Sequence, residues 1–347
     1  MYNSKSLLFA PMEGITDAPY RRTILELYPE WDAVSTDFLR IPSQGSFSDK
    51  KILQHWGQYC QSNSDWAAKT TFQILAPVHA QVEQTVAQIQ NCGIHSLDLN
   101  LGCPSRKVNS HGGGAFLLST IPELKVLTAL IRKNFKGTFS VKMRAGFRDD
   151  KNLLECLKVL QEEGVEAITL HGRTRDQLYK GVANWDYIKQ AGDFLTVPLI
   201  GNGDVWSTSD ISNMYHQTDC HSIMIARGAL KTPWLAGQYR RGLKESLFER
   251  TINLIKYFDK LEENYRIDDF DEVGILKRFK ALSRYLFDPF PNSHHLKSAF
   301  LRSRSLVQFR QLLDQLAKNP TNPHSEIPFS LLQKIQNPQN NTEYCHS

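Results

Sequence analysis

The sequence predicts an α/β fold, a (β/α)8 TIM barrel followed by a small all-helical domain. Three observations support this prediction. Eight short apolar segments of strand length alternate with helical segments over residues 1–242. No strand segment follows residue 242, where the pattern becomes helical throughout. Seven of the eight predicted strands end close to a polar side chain, which is typical of the carboxyl-end rim where barrel enzymes gather their functional groups.

The predicted strands are short apolar runs bounded by glycine, proline or polar residues. In chain order they cover residues 7–10, 33–36, 71–75, 96–101, 140–144, 167–171, 197–201 and 222–226. Helices are predicted between them at 17–27, 79–90, 122–135, 152–163, 185–191 and 207–216, whereas residues 41–68 are predicted to be less regular. A doubly wound sheet is the alternative, but no strand leads into the G-x-G-x-x-G turn typical of that fold.

Residues 243–318 are predicted to form the helical domain, with helices over 248–265, 273–287 and 296–316. Its charge is uneven, because 259–272 is rich in acids while 277–310 holds eight lysines or arginines against one acid, Asp288. Such a basic run is either a solvated helix face or a surface for an anionic partner. From residue 319 to 347 the chain is rich in proline, asparagine and glutamine, which predicts a disordered tail.

Composition and charge narrow the class of protein. The net charge of +5 and the pI of about 8.8 permit an anionic partner without requiring one. None of the six cysteines lies in a C-x-x-C pair, so neither a zinc site nor a redox dithiol is predicted. The N-terminus lacks the apolar core of a signal peptide, and no apolar run reaches membrane-spanning length. We therefore expect a cytoplasmic monomer with free thiols, without a metal or a membrane partner.

The segment 97–105, Leu-Asp-Leu-Asn-Leu-Gly-Cys-Pro-Ser, places Cys103 just beyond a strand end, because Gly102 and Pro104 do not continue a strand. Three glycines follow within 111–115, and they predict a backbone that moves or approaches a ligand closely. Residues 105–114 are accordingly predicted to be a flexible loop that closes over a substrate. Cys103 is either a buried structural cysteine or a catalytic thiol, and these neighbours favour the second interpretation.

The last two strand ends carry a phosphate-binding signal. Gly201–Asp204 follows the seventh strand and Arg227–Ala229 the eighth, where barrels commonly hold a phosphate beside a short extra helix, predicted here to open at Thr232–Pro233. Flavin mononucleotide (FMN) combines one phosphate with a large planar ring. Gln73 and Lys142 are placed to reach the ring, where a lysine would stabilise negative charge on the reduced flavin.

Seven motifs in barrel order resemble those of the tRNA-dihydrouridine synthases. They are PMEG at 11–14, DLNLGCPS at 98–105, GGGAFLL at 112–118, VKMRAG at 141–146, LHGRT at 170–174, GNGD at 201–204 and ARGA at 226–229. PMEG, together with Asp37–Arg40, resembles the bacterial C-type subfamily, which modifies uridine 16 of the tRNA D-loop. The resemblance implies FMN-dependent reduction of the uridine C5–C6 double bond in tRNA to 5,6-dihydrouridine. NADPH, or NADH, would bind transiently as the reductant, because no Rossmann motif is present.

The resemblance also implies roles for individual residues. Cys103 is the expected catalytic acid, and Asn100 is expected to hold the uracil, which must leave its stack to reach the barrel. The expected flavin contacts are Pro11, Met12, Glu13, Gln73, Lys142, His171, Asn202, Gly203, Asp204, Ala226 and Arg227. Ala226 stands where the family usually has glycine. Further contacts with the tRNA are expected from Arg40, Arg144, Arg173, Lys277, Arg278 and Lys280.

Two other functions are compatible with these residues. One is an FMN-dependent dehydrogenase that acts on a free base, such as dihydroorotate or a dihydropyrimidine. It shares the phosphate site but leaves the basic helices unexplained. The other is a non-catalytic RNA-binding barrel, which would bind no flavin. Activity on free uracil would favour the first, and a colourless protein the second.

Overall fold

The computed structural model describes residues 3–320, and the chain divides between Leu243 and Lys244 into two compact units. The tail predicted at 319–347 lies outside the described residues, apart from Asn319 and Pro320. Within the described part of the chain, no helix is long and apolar enough to cross a membrane.

The first unit is a closed parallel barrel of eight strands with one additional short strand. In chain order the strands are β1 (Leu7–Phe9), β2 (Ala33–Ser35), the additional β3 (Leu39–Arg40), β4 (Thr70–Leu75), β5 (Ser96–Leu101), β6 (Thr138–Gly146), β7 (Ala167–Thr174), β8 (Leu199–Asn202) and β9 (Ser222–Ile225). Pairing of β1 with β9 and of β2 with β4 closes the ring, while β3 extends one side of β4. The closed ring confirms the predicted TIM barrel and excludes the open doubly wound sheet.

The helices of this unit begin at recognisable capping residues in several places. α1 (Ala18–Leu27) follows Asp17, whose side chain accepts a hydrogen bond from the Tyr20 N–H, and α10 (Thr208–Thr218) follows a capping box of Ser207 and Asp210. The remaining helices are α2 (Asp49–Trp56), α3 (Tyr59–Ser62), α4 (Ser64–Lys69), α5 (Val82–Asn91), α6 (Arg106–Asn109), α7 (Ile121–Asn134), α8 (Leu153–Glu162), α9 (Asp186–Phe194), α11 (Arg227–Lys231), α12 (Leu235–Arg241) and a 3-10 helix at Gly114–Ser119.

Two stretches predicted to be irregular or flexible are helical. Residues 41–68 contain α2, α3 and α4, and residues 105–114 contain α6 and the start of the 3-10 helix. The Asn109 side chain stabilises the conformation of residues 105–114, because it donates hydrogen bonds to the carbonyl oxygens of Cys103 and Ser105. Gly112 and Gly114 have positive φ values of 74° and 61°. These glycines therefore serve the backbone conformation of an ordered turn, a use that sequence alone does not separate from mobility.

Within the described residues, the second unit consists of α13 (Leu247–Ile267), α14 (Glu272–Leu286), α15 (Ser293–Arg302) and α16 (Leu306–Lys318). Its core contains Phe258, Phe279 and Phe309, whose ring centroids lie 4.7 to 5.1 Å apart. The prediction of one helix over 296–316 is wrong. The chain leaves the helix after Arg302 and starts α16 at Leu306, directly after Ser305, whose hydroxyl accepts a hydrogen bond from a backbone N–H in the first turn. The apolar pattern continues across this break and therefore conceals it.

Candidate active site

Cys103 lies in a tight turn just beyond the carboxyl end of β5. Asn100 holds the turn from the strand side, because its Oδ1 accepts hydrogen bonds from the N–H groups of Gly102 and Cys103 at 3.0 and 2.9 Å. Asn109 holds it from the opposite side by donating from Nδ2 to the Cys103 carbonyl oxygen at 3.0 Å. Cys103 is only 7% exposed. Two asparagines thus hold the backbone that carries the thiol.

The surroundings of Cys103 favour a protonated thiol. Burial raises the pKa of the Cys103 thiol, and the Glu13 carboxylate raises it further. The Ser105 N–H and the cations of Arg40 and Arg144 oppose the rise without cancelling it. A thiol that stays protonated at neutral pH is suited to donate a proton. It is less suited to act as a thiolate nucleophile.

A row of polar side chains crosses β4, β5 and β6 inside the barrel. Gln73, Asp98 and Ser140 are register partners on these strands. The Asp98 carboxylate accepts from Gln73 Nε2 at 2.8 Å and from Ser140 Oγ at 2.7 Å. Asn100 Nδ2 donates to Gln73 Oε1 at 2.8 Å, so two residues predicted for the site are directly joined. Asp98 escaped the sequence prediction, although an acid in an otherwise apolar strand is a signal that could have identified it.

Lys142 lies on β6 beside Asn100, its register partner on β5. Burial and the Arg144 cation lower the pKa of the Lys142 ammonium, Asp98 opposes the shift, and the resulting pKa is about 8. No hydrogen bond or ion pair joins the ammonium to another side chain or carbonyl within residues 3–320. Its donors therefore remain available to a ligand.

Arg144 and Arg173 were expected to contact tRNA, but both are buried. Arg144 donates from Nε to the Gly102 carbonyl oxygen at 3.0 Å and from Nη1 to the Thr174 carbonyl oxygen at 2.9 Å. Arg173 is 1% exposed and forms a bidentate pair with Asp204. Neither guanidinium lies open to a phosphate in this arrangement, and direct contact of either with tRNA stays a prediction. Both arginines instead order the loops that follow the strands.

A cluster of charges surrounds the ends of β7, β8 and β9. Arg173 donates to both oxygens of Asp204 at 3.0 and 2.6 Å, and Arg227 donates to one of them at 3.1 Å. Burial raises the pKa of the Asp204 carboxyl, but hydrogen bonds from Arg173 and the Ala183 N–H, together with the charges of Arg173 and Arg227, outweigh it and bring the pKa below its ordinary value. The Arg227 guanidinium also lies over the rings of Tyr179 and Trp206, at 4.9 and 4.7 Å from their centroids. Two guanidinium groups on one carboxylate leave a net positive charge that suits an anion.

Backbone N–H groups beside Arg227 add hydrogen-bond donors to this cluster at the ends of β7, β8 and β9. Gly203 and Asp204 have positive φ values of 122° and 51°, and neither N–H has a hydrogen-bond partner within residues 3–320. α11 begins at Arg227 directly after Ala226, and the Ala229 N–H donates to the Ala226 carbonyl oxygen at 3.0 Å, so the N–H groups of Arg227 and Gly228 are the ones without a partner inside the helix. The prediction that the extra helix opens at Thr232–Pro233 is wrong, because Thr232 ends α11.

The remaining residues predicted to contact a flavin lie at the ends of β1, β7 and β8. His171 is buried, and burial together with four surrounding cations lowers the pKa of its imidazole well below the ordinary value, so the ring is neutral. Asn202 donates from Nδ2 to a backbone carbonyl oxygen of β9 at 2.7 Å. After β1, Pro11 and Met12 are half-buried and Glu13 is exposed.

The basic residues expected to contact tRNA are divided between the two units. Arg40 is exposed at the end of β3 in the first unit. Lys277 is exposed, and Arg278 and Lys280 are half-buried, on α14 of the second unit.

Tyr179, which lies beside Arg227 and is 56% exposed, was not identified from the sequence. It belongs to a loop whose residues carry no periodic signal.

The closed barrel and the residues at its strand ends define the class of protein. It is a TIM-barrel enzyme with an anion-binding site beside its reactive groups. The chain belongs to the dihydrouridine synthase family, whose family model, described as "Dihydrouridine synthase (Dus)", matches residues 8–321. This membership confirms the resemblance inferred from the motifs. It also confirms the predicted class of enzyme, a flavin-dependent oxidoreductase.

Individual relatives agree with the family match. The chain is 32% identical to a tRNA-dihydrouridine(16) synthase of Ralstonia nicotianae over 317 residues, which cover 89% of this chain and 95% of the relative. It is 30% identical to a tRNA-dihydrouridine(16) synthase of Cupriavidus necator, over 91% of this chain and 99% of the relative. Among solved structures, histamine dehydrogenase from Rhizobium sp. 4-9 matches with a TM-score of 0.53 at 11% identity, over 72% of this chain and 48% of that one. That likeness concerns the barrel fold.

Proposed function

We propose that this chain reduces the C5–C6 double bond of uridine 16 in the tRNA D-loop to 5,6-dihydrouridine, with bound FMN and with NADPH as the reductant. The names of the relatives from Ralstonia nicotianae and Cupriavidus necator support the position of the uridine. The observation that carries the chemistry is the buried, protonated Cys103 thiol on a turn that Asn100 and Asn109 hold in place.

Reduction of the uracil double bond requires a hydride at C6 and a proton at C5. When bound, a reduced flavin supplies the hydride. Cys103 is the proposed proton donor to C5, because its raised pKa keeps the thiol protonated while negative charge builds on the base. Asn100 is a positioning residue for this step. Both of its amide atoms are already bonded, to Gln73 and to the turn, and that arrangement holds the thiol.

The residues at the strand ends fit a flavin mononucleotide. Arg227 and the open N–H groups of Gly203 and Asp204 would hold the phosphate, because they join positive charge to directed donors. Lys142 would stabilise negative charge on the flavin ring, since its ammonium is buried and lacks a partner among the described residues. Gln73 would bind the ring edge through the amide hydrogen that Asp98 leaves free.

The tRNA would be bound mainly by exposed cations. Arg40 and the α14 residues Lys277, Arg278 and Lys280 are proposed to contact phosphates and to offset the unstacking of the target base. A protein with this substrate is proposed to act in the cytoplasm, as a monomer and without a metal ion.

The test is a reaction of the purified protein with NADPH and an unmodified tRNA transcript, followed by mass mapping of the product. We expect a protein that carries FMN and a gain of two hydrogens at uridine 16. A transcript with cytidine at position 16 should give no product. Dihydrouridine at another position would contradict the assignment to uridine 16. Reduction of free uracil would favour the dehydrogenase, and a colourless protein that binds no FMN would favour the non-catalytic barrel.

A further inference from the structure

A chain of hydrogen bonds connects the Cys103 turn to Asp98 in the barrel interior. The N–H groups of Gly102 and Cys103 donate to Asn100 Oδ1 at 3.0 and 2.9 Å. Asn100 Nδ2 donates to Gln73 Oε1 at 2.8 Å, and Gln73 Nε2 donates to Asp98 Oδ2 at 2.8 Å. We name this chain, from Asp98 through Gln73 and Asn100 to the turn, the amide relay.

The amide relay has one possible polarity, because both of its ends are chemically defined. Backbone N–H groups only donate, so Asn100 must turn its oxygen toward the turn and its NH2 group inward. An ionised carboxylate only accepts, so Gln73 must turn its NH2 group toward Asp98 and its oxygen toward Asn100. The two requirements agree. Two side-chain amides that are nearly symmetric in shape are thereby held in one orientation each.

A carboxylate at position 98 is unfavourable for folding unless its acceptor atoms are needed. It is 4% exposed, and within residues 3–320 its oxygens accept from the Gln73 amide and the Ser140 hydroxyl, which are both neutral groups. No lysine, arginine or histidine within residues 3–320 forms an ion pair with it, and Lys142 acts on it only through space. A buried carboxylate without an ion-pair partner is unfavourable, since the Lys142 charge offsets only part of the effect of burial, and an apolar side chain would fill this strand position at lower cost. The hydrogen bond that Gln73 donates to Asp98 gives a use for an acceptor at this position.

We propose that Asp98 is a positioning residue, which sets the amide orientations of Gln73 and Asn100 and through them the position of the Gly102–Cys103 turn. Without an acceptor at position 98, Gln73 can flip, and Asn100 then loses the partner that keeps its oxygen toward the turn. The catalytic consequence rests on the proposed role of Cys103 as the acid. The consequence for the turn does not depend on that role.

The reactivity of the Cys103 thiol reports the turn without requiring turnover. Iodoacetamide alkylation of the purified full-length protein, resolved by peptide mass spectrometry, separates Cys103 from the other cysteines. In Asp98→Leu we expect alkylation of Cys103 to become about ten-fold faster, the effect typical of one lost buried hydrogen bond. Alkylation of Cys156 and Cys220, which are buried away from the relay, should not change and serves as the folding control.

Two matched variants retain the relay and should stay within about two-fold of the wild-type alkylation rate. In Asp98→Asn, the amide oxygen still accepts from Gln73, and the new NH2 group can donate to the Ser140 hydroxyl, which also accepts. In Ser140→Ala, one hydrogen bond to Asp98 is lost, but the relay does not pass through Ser140. Fast alkylation in either variant would overturn the proposal, because buried charge or packing would then control the thiol.

A swap of the two partners gives the sharpest test and does not depend on whether Asp98→Leu folds. Gln73→Glu alone opposes two carboxylates and should release the turn at pH 8. The double variant Gln73→Glu with Asp98→Asn should restore slow alkylation, because the amide at position 98 donates to the carboxylate at position 73, which still accepts from Asn100. A merely structural role for Asp98 predicts no such rescue. Equal alkylation rates in the single and double variants would therefore refute the relay.

Rapid-reaction kinetics separate this proposal from the proposed function. In Asp98→Leu we expect flavin reoxidation by tRNA to slow about ten-fold more than flavin reduction by NADPH, since only the first step uses the turn. If Cys103→Ala keeps wild-type reoxidation, the acid role fails while the alkylation data still support the relay. If Cys103→Ala is inactive but alkylation in Asp98→Leu is unchanged, the relay fails while the acid role stands.

Discussion

Two regions at the carboxyl ends of the barrel strands, one around Cys103 and one around Arg227, are held together by different kinds of interaction. Around Cys103, the ends of β4 and β5 are joined by a neutral amide hydrogen bond between Asn100 and Gln73. Around Arg227, the ends of β7 to β9 are joined by charges, with two arginines on Asp204. Neutral hydrogen bonds are directional and can hold a proton donor in place, whereas clustered cations create a strong field for an anion. The comparison shows how one ring of strands presents an acid and an anion site side by side.

The largest expected effect is the loss of turnover when the Cys103 thiol is removed. In Cys103→Ala we expect turnover of tRNA to fall about 10²–10⁴-fold, the effect typical of a lost general acid, while flavin content and reduction by NADPH stay intact. Cys103→Ser should be nearly as slow, because a hydroxyl is a much weaker acid. Stopped-flow reoxidation of the reduced protein by tRNA measures the effect. Wild-type reoxidation would refute the acid role of Cys103.

Lys142 lies between the two regions and tests whether a cation acts on the flavin. In Lys142→Met we expect flavin reduction by NADPH to slow about 10²-fold, as when one charge-stabilising donor is removed. The wild-type rate should fall as the pH rises through about 8, because the pKa of the Lys142 ammonium is lowered to about 8 and its positive charge disappears above that pH. Stopped-flow reduction across pH 6–10 measures both effects. A pH profile that is the same in the variant would exclude Lys142 as its cause.

Removal of the Arg227 guanidinium should weaken binding of FMN without changing the region around Cys103. In Arg227→Met we expect the dissociation constant of FMN to rise about 10–100-fold, since hydrogen bonds to charged groups contribute about 1.5–3 kcal/mol. Arg227→Lys should lie between, because it keeps the charge but loses the planar fork of donors. Fluorescence titration of the flavin-free protein with FMN measures the affinity. An unchanged dissociation constant would place the phosphate elsewhere.

The basic residues of α14 test a different kind of anion contact, the expected contact with tRNA phosphates. Reversal of charge at Lys277, Arg278 and Lys280 should raise the dissociation constant for tRNA about ten-fold and reduce its salt dependence. Flavin content and NADPH oxidation should stay normal. A triple reversal on the barrel unit supplies the matched control, with the same change in charge at the exposed residues Lys125, Lys133 and Lys136. Equal losses in both triple variants would leave α14 as an ordinary solvated face.

The smallest effect on function is expected from Asp98→Asn, which tests the buried carboxylate through stability. Burial raises the pKa of the Asp98 carboxyl to about 6, so the folded state binds the proton more tightly than the unfolded state does. The wild type should therefore lose about 1–3 kcal/mol of stability from this group as the pH rises from about 4 to about 6. Asp98→Asn should lack that loss. Urea unfolding of both proteins at pH 4 to 7 measures the difference, and a difference that does not change with pH would contradict the assignment.

The sequence by itself determined the barrel, the family and most of the rim. Alternating apolar strands and helices specify a (β/α)8 architecture, and a residue that follows a barrel strand directly must lie at the carboxyl-end face. This is why the sequence assigns Cys103 and Arg227 to one end of the barrel. The helix break at Ser303–Ser305 was missed because polar residues in a short connection leave the apolar period of the flanking helices intact.

Only the tertiary structure decided which polar groups are free and which are already bonded. The partners Gln73 and Asp98 are 25 residues apart in the chain, and Arg173 and Asp204 are 31 apart. Each pair forms only when the strands close into a barrel, so no local pattern indicates it. Burial then decides the chemistry, because the same fold that raises the pKa of the Cys103 thiol also uses up the donors of Arg144 and leaves those of Lys142 without a partner in the described chain. Residue type and position are properties of the sequence, whereas charge state and availability depend on the neighbours that folding supplies.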